Sequence, residues 1–530
     1  MKSNHALRYW KRISRMRPAK ARTALAVATV LAAAIITIQP MQAQTTFTTL
    51  ASFDGTNGSY SLAPLIQATN GNLYGTTNQA TDGSGYGNIF EITTGGTLTS
   101  LYSFCKGGPP CSDGYGPVPG LVQTTNGDLY GTTEYGGSTD GGLIDPFGTV
   151  FKVTPGGTLT TLYSFGVQDA CAPLPTAGLV QATNGDFYGT TQCGGVNGSG
   201  TVFKITPAGV LTTLYNFCGA PSCGMGQPTD ADGFVPVAGL IQATNGDLYG
   251  VTTAGGANRG NQVNGGTIFK MSLSGKLTTL YSFCAQTNCA DGLSPASMLV
   301  QASNGNIYGT TYSAGANGFG TIFEITTSGK FKFKTLYSFC SKSNCADGQN
   351  GGNPSQPALI QATDGNLYGT TPYGGNTTSG VSTNGWGTIF KITPTGTFTT
   401  LYTFCTVSGC PDGGEPYGGL FQDTNGTFYG TTAVGGANSP GDGTVYSFSV
   451  GLGPFVETLP TSGKIGAKVE ILGTDLTGAT SVTFNGIASA FTVASSSEIK
   501  TTVPTGATSG KVQVTTPAGI LTSNVSFQVL

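Results

Sequence analysis

The chain has 530 residues, of which 84 are glycine and 27 proline; only 9% are charged and one is histidine. Glycine without a three-residue period excludes collagen, and 38% hydrophobic content at a mean hydropathy of +0.02 is too apolar for a disordered chain. The lone His5 lies in the N-terminal segment described next, so the processed protein has no route to Ser-His-Asp, Cys-His or histidine-zinc chemistry.

Residues 1–22 carry Lys2, Arg8, Lys11, Arg12, Arg15, Arg17, Lys20 and Arg22 without an acid, and an apolar run from Thr23 to Ile38 ends before Pro40. This pattern predicts a secretory signal peptide, residues 1–43, with Ala43 at the cleavage point. The run is shorter than the roughly 20 residues a membrane-spanning helix needs, so no transmembrane segment is expected after cleavage; an uncleaved anchor is the rival. Removing the eight basic residues leaves 15 Lys and Arg against 25 acids, a net charge of about −10, which argues against a nucleic-acid partner. The protein is expected to be exported, either secreted, at the cell surface or in a periplasm.

The chain then repeats. NGNLYGTT at Asn70 returns as NGDLYGTT at Asn126, NGDFYGTT at Asn184, NGDLYGVTT at Asn245, NGNIYGTT at Asn304, DGNLYGTT at Asp364 and NGTFYGTT at Asn425. The spacings, 56 to 61 residues, are those of propellers or solenoids. Three further blocks keep the period, as in GLVQTT (Gly120 to Thr125), GTVFKVT (Gly148 to Thr154) and LTTLYSF (Leu159 to Phe165). Asn-Gly separates the first two strands of a unit and Pro-Gly-Gly or Pro-x-Gly commonly the last two, both tight-turn signals. Each unit is therefore read as a four-stranded antiparallel meander, apolar on both faces, which needs a neighbour on each side. Seven such sheets around an axis give a seven-bladed β-propeller, residues 44–451, with a β-solenoid as the alternative. FTTLASF (Phe47 to Phe53) is a surplus fourth strand at the start, and the last unit stops at its third strand, GTVYSFS (Gly443 to Ser449). The first strand is thus expected to complete the last blade and seal the ring.

On these blocks, residues 47–449 resemble the GloVer repeat of exported bacterial proteins, a resemblance that implies a repeat architecture and no particular activity. After Gly451-Leu-Gly-Pro454, short alternating runs such as VEIL (Val469 to Leu472), SVTF (Ser481 to Phe484) and KVQV (Lys511 to Val514) predict a small β-sandwich. Pro460-Thr-Ser-Gly463, Val482-Thr-Phe-Asn-Gly486 and Thr516-Pro-Ala-Gly519 are similar to an IPT/TIG immunoglobulin-like domain, here 453–530, which implies a spacer or adhesion module. No C-terminal membrane anchor is read in the sequence.

Twelve cysteines fall into Cys105 with Cys111, Cys218 with Cys223, Cys284 with Cys289, Cys340 with Cys345, Cys405 with Cys410, and Cys171 with Cys193. Export favours six disulfides; zinc held by two converging pairs is the rival. The meander places the long loops on one face of the ring. These loops carry a recurrent Asp-Gly at Asp54, Asp113, Asp232, Asp291, Asp347 and Asp412, read as a turn former, with a calcium site at Asp230 and Asp232 as the alternative because Asp230-Ala-Asp232-Gly resembles the start of a calcium loop. Aromatics precede the third strand in four units, Tyr86, Phe147, Phe319 and Trp386, and Tyr373 shares the loop of Trp386. They are read either as caps of the blade interface or as surfaces stacking on sugar rings. The expected function is a monomeric binding or structural protein without catalytic residues or a required cofactor, its partner an extracellular glycan or an envelope protein. The alternative is a carboxylate-dependent polysaccharide-degrading propeller enzyme.

Overall fold

The computed structural model describes residues 45–79, 85–137, 147–166, 174–218, 231–260, 263–349, 358–375, 385–437 and 441–530. The expected signal peptide and Cys171, Cys223 and Asp230 lie outside them. Seven antiparallel sheets follow one another along the chain, six of them four-stranded and the fifth five-stranded because Leu293–Pro295 also pairs with Ile307–Ser313. The first consists of Ile66–Gln67, Leu73–Thr77, Asn88–Ile92 and Leu98–Ser103, from the innermost strand outward. The seventh takes Leu420–Gln422, Phe428–Thr432 and Thr444–Ser449 from the end of the repeats and its outer strand, Thr46–Ser52, from the beginning. Thr46 pairs with Ser449 and Ser52 with Thr444, so the surplus N-terminal strand does close the ring.

The repeat's residue choices follow from this stacking. The second strand, as in Leu73–Thr77, is buried at every position because sheets cover both of its faces. Its glycine is required by a close approach: a Cβ on Gly75 would lie 2.5 Å from the Phe90 ring tip and 2.6 Å from Leu65. Gly75 and Phe90 are cross-strand partners, and Gly131 with Phe151 and Gly189 with Phe203 repeat the pair. The two threonines that follow are buried polar groups with partners. Thr133 Oγ1 meets Thr149 Oγ1 at 2.9 Å, and Thr149 Oγ1 donates to the Asp113 carbonyl at 3.4 Å, tying the blade to the preceding long loop.

The glutamine of the first strand links neighbouring blades. Gln123 Oε1 accepts from Thr69 N at 3.0 Å, Gln242 from Thr183 N at 2.9 Å, and Gln301, Gln361 and Gln422 repeat this around the ring. Gln67 Oε1 accepts from Thr424 N at 3.3 Å, making the same bond across the junction between first and last blades. Phe53, Leu65 and Phe90 pack with Tyr429 and Val445 at that junction.

The C-terminal residues form an immunoglobulin-like sandwich. One sheet orders Glu457–Leu459, Lys468–Leu472, Glu498–Thr502 and Phe491–Val493; the other orders Ile487–Ala488, Ser481–Phe484, Val512–Thr516 and Gly519–Thr522. Val469, Ile471, Val482, Ile499, Val514 and Phe527 fill its core. It touches the short-turn face of the ring through Ser497 Oγ to the Thr69 carbonyl, 2.9 Å, and Asn524 Nδ2 to the Gln361 carbonyl, 3.0 Å. Among the described residues no helix is long and apolar enough to cross a membrane.

Candidate functional site

The seven innermost strands enclose an axial cavity of about 300 Å3, to which Leu62, Val118, Ala177, Val237, Met298, Leu359 and Tyr417 each contribute from a different blade. Leu62, Val118 and Tyr417 also belong to a cluster with Ala433, against which Tyr60, Tyr373 and Val434 pack. Tyr60, Glu415 and Tyr417 come from the connections leading into inner strands, and Tyr373 from the connection after a second strand, so the cluster lies on the long-loop face. The Tyr373 and Tyr417 hydroxyls are 2.6 Å apart. Glu415 has φ 53, its N–H donates to the Trp386 carbonyl at 2.9 Å, and its carbonyl accepts from Tyr417 N at 2.8 Å and Ala433 N at 3.1 Å. Burial raises the Glu415 pKa; burial, followed by the charge of Glu415, raises that of Tyr60.

A second aromatic group adjoins the first. Tyr86 meets Tyr115 edge-on at 5.1 Å, and Tyr115 stacks on Tyr135 at 5.2 Å. Burial raises the pKa of Glu134, opposed by a hydrogen bond from Tyr135, whose own pKa is pushed up to about 12, chiefly by burial. Gly116 links the two groups: its carbonyl accepts from Val118 N at 2.8 Å and Glu134 N at 3.0 Å, and its N–H donates to the Tyr86 carbonyl at 3.0 Å.

The aromatic set expected from sequence is not brought together as one surface. Phe147 is 4% exposed and packs with Val150 and Phe203 in a blade core. Phe319, 40% exposed, follows the third-strand pattern but makes no ring contact among the described residues. Trp386 is half-buried against the cluster of Phe404, Leu420 and Tyr446. Tyr373 and Tyr86 are the two that enter tyrosine groups. Sequence alone does not point to Tyr60, Tyr417, Glu415, Tyr115, Tyr135 or Glu134, although Glu415 and Tyr60 stand at one repeat position that varies from unit to unit.

The recurrent aspartates clamp loops. Asp113 Oδ2 accepts from the Tyr102 hydroxyl at 2.9 Å and from Cys105 N at 3.0 Å; Asp412 Oδ2 does the same with Tyr402 at 2.8 Å and Cys405 N at 3.0 Å. Asp232 Oδ2 is likewise engaged, by Tyr215 at 2.8 Å and Cys218 N at 3.1 Å. Asp54, which has no such tyrosine behind it, caps its own turn through Asn57 N at 2.9 Å. Among the described residues no three His, Cys, Asp or Glu side chains gather to hold a metal. Disulfides join Cys105 to Cys111, Cys284 to Cys289, Cys340 to Cys345 and Cys405 to Cys410, and Cys193 and Cys218 are also disulfide-bonded. The expected partners of these last two, Cys171 and Cys223, lie outside the described residues.

A family model described as the Gloeobacter/Verrucomicrobia repeat matches residues 110–290 and 227–404, and an IPT/TIG domain model matches 455–529. No curated protein matches the chain. Solved structures similar to it include one described as a gluconolactonase, 10% identical, covering 77% of this chain and 92% of its own, TM-score 0.33. A luciferin-regenerating enzyme is 13% identical over 63% of this chain and 92% of its own, TM-score 0.35. An oxidoreductase described as a glucose dehydrogenase, from Thermus thermophilus, is 14% identical over 77% of this chain and all of its own, TM-score 0.36.

Proposed function

The chain belongs to the Gloeobacter/Verrucomicrobia repeat family, and on that footing we propose that it is an exported binding protein whose ligand, an extracellular glycan, docks on the long-loop face of the propeller. The observation that carries this reading is the axial cavity flanked by tyrosines, Tyr60, Tyr373 and Tyr417 in one group and Tyr86, Tyr115 and Tyr135 in the other. Tyrosine offers an apolar face and a hydrogen-bonding hydroxyl, which matches the alternation of C–H and O–H groups on a sugar ring. The oxidised cysteines support an oxidising compartment. In this reading residues 1–43 direct export, 44–451 form the binding ring, 453–530 act as a spacer, and the protein works as a monomer. A glycan array with the processed protein tests it. Tyr373→Ala should cost a bound glycan about 1–3 kcal/mol, the scale of aromatic stacking on a flat ring, whereas Trp386, packed against the blade core, should matter chiefly for stability. If no glycan binds, the reading fails; if the Tyr373 variant binds normally and melts earlier, Tyr373 has no part in stacking.

One observation favours the enzyme alternative: Glu134 and Glu415 are both half-buried on this face with raised pKa values, as a general acid requires. Polysaccharide hydrolysis abolished by Glu134→Gln or Glu415→Gln would establish it.

A further inference from the structure

We propose that the axial cavity takes a single unbranched alkyl chain, so that the ligand of the long-loop face is a sugar carrying an uncharged hydrocarbon tail, with Met298 as the side chain that packs along it. The proposal rests on the long-loop face being the binding face, and names the part of the ligand that passes beyond the tyrosines.

The wall of the cavity has little to offer a polar group. Among the described residues that line it none is charged, and Leu62, Val118, Val237, Leu359 and Phe421 set its character. Its backbone is engaged as well: the carbonyls of Pro119, Ala177 and Ala238 accept from Oγ1 of Thr76, Thr132 and Thr190 in the preceding blade, at 3.4, 3.2 and 3.2 Å. Of the two polar side chains in the wall, Tyr417 has its hydroxyl 2.6 Å from that of Tyr373, and Thr176 Oγ1 is shut off from solvent. A hydroxyl-rich group drawn into such a lumen would exchange its water for few hydrogen bonds, whereas a hydrocarbon gains by the transfer.

The shape fits one chain. Residues 62–66 and 417–421 line the cavity without a break, from the lead-in connection to the inner strand, and five residues span roughly 13 Å at strand rise. A volume of about 300 Å3 drawn out over that length is a narrow passage, yet it exceeds the roughly 150 Å3 in which an apolar cavity holds benzene. Leu62 and Tyr417, at one end, belong to the cluster that Tyr60 and Tyr373 join, so the opening faces the tyrosines on which a sugar would sit.

One wall residue breaks the repeat. The position before the inner-strand leucine is Pro64, Gly120, Gly178, Gly239, Ala358 and Gly419 in six blades, and Met298 in the fifth. The small residues let neighbouring inner strands close up: a Cβ on Gly120 would stand 3.3 Å from Pro64, and one on Gly178 3.4 Å from the Gly120 carbonyl. Met298 instead lays its Sδ over Gly239, 3.3 Å from where a Cβ of that residue would be, and lines the cavity while staying 38% exposed. An unbranched, polarisable thioether adapts its rotamers to a flexible apolar partner.

Calorimetric titration of the processed protein with methyl, butyl, hexyl and octyl β-D-glucosides below micelle formation, and with 1-octanol, tests the site. Affinity is expected to rise about fourfold for each methylene that enters the lumen, and 1-octanol to bind without any sugar. NMR of methyl-labelled methionine places the chain: processing leaves Met225, Met271 and Met298, and the Met298 signal should shift with octyl glucoside while that of Met271, fully buried in a blade core, should not. Met298→Ala, the residue of the sixth blade, should weaken octyl glucoside several-fold, and Met298→Lys should abolish binding of 1-octanol. An affinity flat from methyl to octyl, no binding of 1-octanol, an unmoved Met298 signal, or wild-type binding by Met298→Lys overturns the proposal. The chain-length series needs no variant and stands whether or not Met298→Lys folds. Glycans that bind on the array with no gain from an alkyl tail would overturn the alkyl site and leave the glycan reading standing; 1-octanol held at Met298 with no glycan bound on the array would overturn that reading and leave the alkyl site.

Discussion

Where the first, third and fourth repeats place Ala68, Ala182 and Ala243 at the end of the inner strand, the seventh places Asp423, which is 1% exposed. Its Oδ1 accepts from Gln67 Nε2 at 3.2 Å and Asn425 N at 2.9 Å, while its Oδ2 has no partner among the described residues. Burial raises its pKa from 3.8 to about 6, and Glu457, in the first strand of the sandwich, is pushed up to about 7 by burial and then by the charge of Asp423. The native carboxyl of Asp423 therefore holds its proton more tightly than the unfolded one. The stabilisation is complete below pH 3.8 and is lost as pH rises through about 6. The two-unit shift corresponds to about 3 kcal/mol of destabilisation by pH 8. Asp423→Asn keeps an acceptor for Gln67 and Asn425 without the charge. Urea unfolding from pH 4.5 to 8, with disulfides intact, should show the variant more stable by about 3 kcal/mol at pH 8 and by only about 1 kcal/mol at pH 4.5. Parallel pH slopes in the two proteins, or a variant weaker at pH 8, would refute the reasoning.

A chain beginning at Ser61 lacks the strand Thr46–Ser52 and the buried Phe53. Exposing the seventh blade's edge and losing one buried phenylalanine, worth about 3–5 kcal/mol, should lower its melting temperature sharply; an unchanged transition would contradict closure by that strand. Gly75→Ala drives a methyl group into Phe90 and should cost about 1–3 kcal/mol in chemical denaturation, whereas Gly185→Ala, with open space around its Cβ, should pay only for its positive φ of 85. Non-reducing peptide mapping should link Cys171 to Cys193, and free thiol at Cys171 would contradict the sharing of one face by their two loops.

The architecture was legible because it is periodic. Asn-Gly turns, the Tyr-Gly-Thr-Thr strand and the surplus strand at Phe47 each recur or balance across the chain, and packing turns such regularity directly into a ring. The recurrent aspartates were legible as turns because Asp-Gly is a common turn former; the tyrosine each one holds was not, since it lies 10 or 11 residues earlier in most repeats and 17 earlier for Asp232. The tyrosine cluster was not, since Tyr60 and Tyr417 are neighbours only after the ring closes. Its members also stand where the repeat is irregular, Glu415 at a position filled by Gly116 and Val235 elsewhere, and Asp423 at an alanine position. Departures from the consensus carried the site-specific chemistry, while the aromatics chosen for regular placement divided between core, as Phe147, and isolated surface, as Phe319.

Hydrogen–deuterium exchange with and without a glycan identified on the array tests the binding face most directly. Protection is expected in the long-loop segments holding Tyr60, Tyr115, Glu134, Tyr373 and Glu415, with the short turns at Asn70 and Asn245 and the sandwich unchanged. Protection confined to the short turns or to the C-terminal sandwich would contradict the placement of ligand binding at the mouth of the ring.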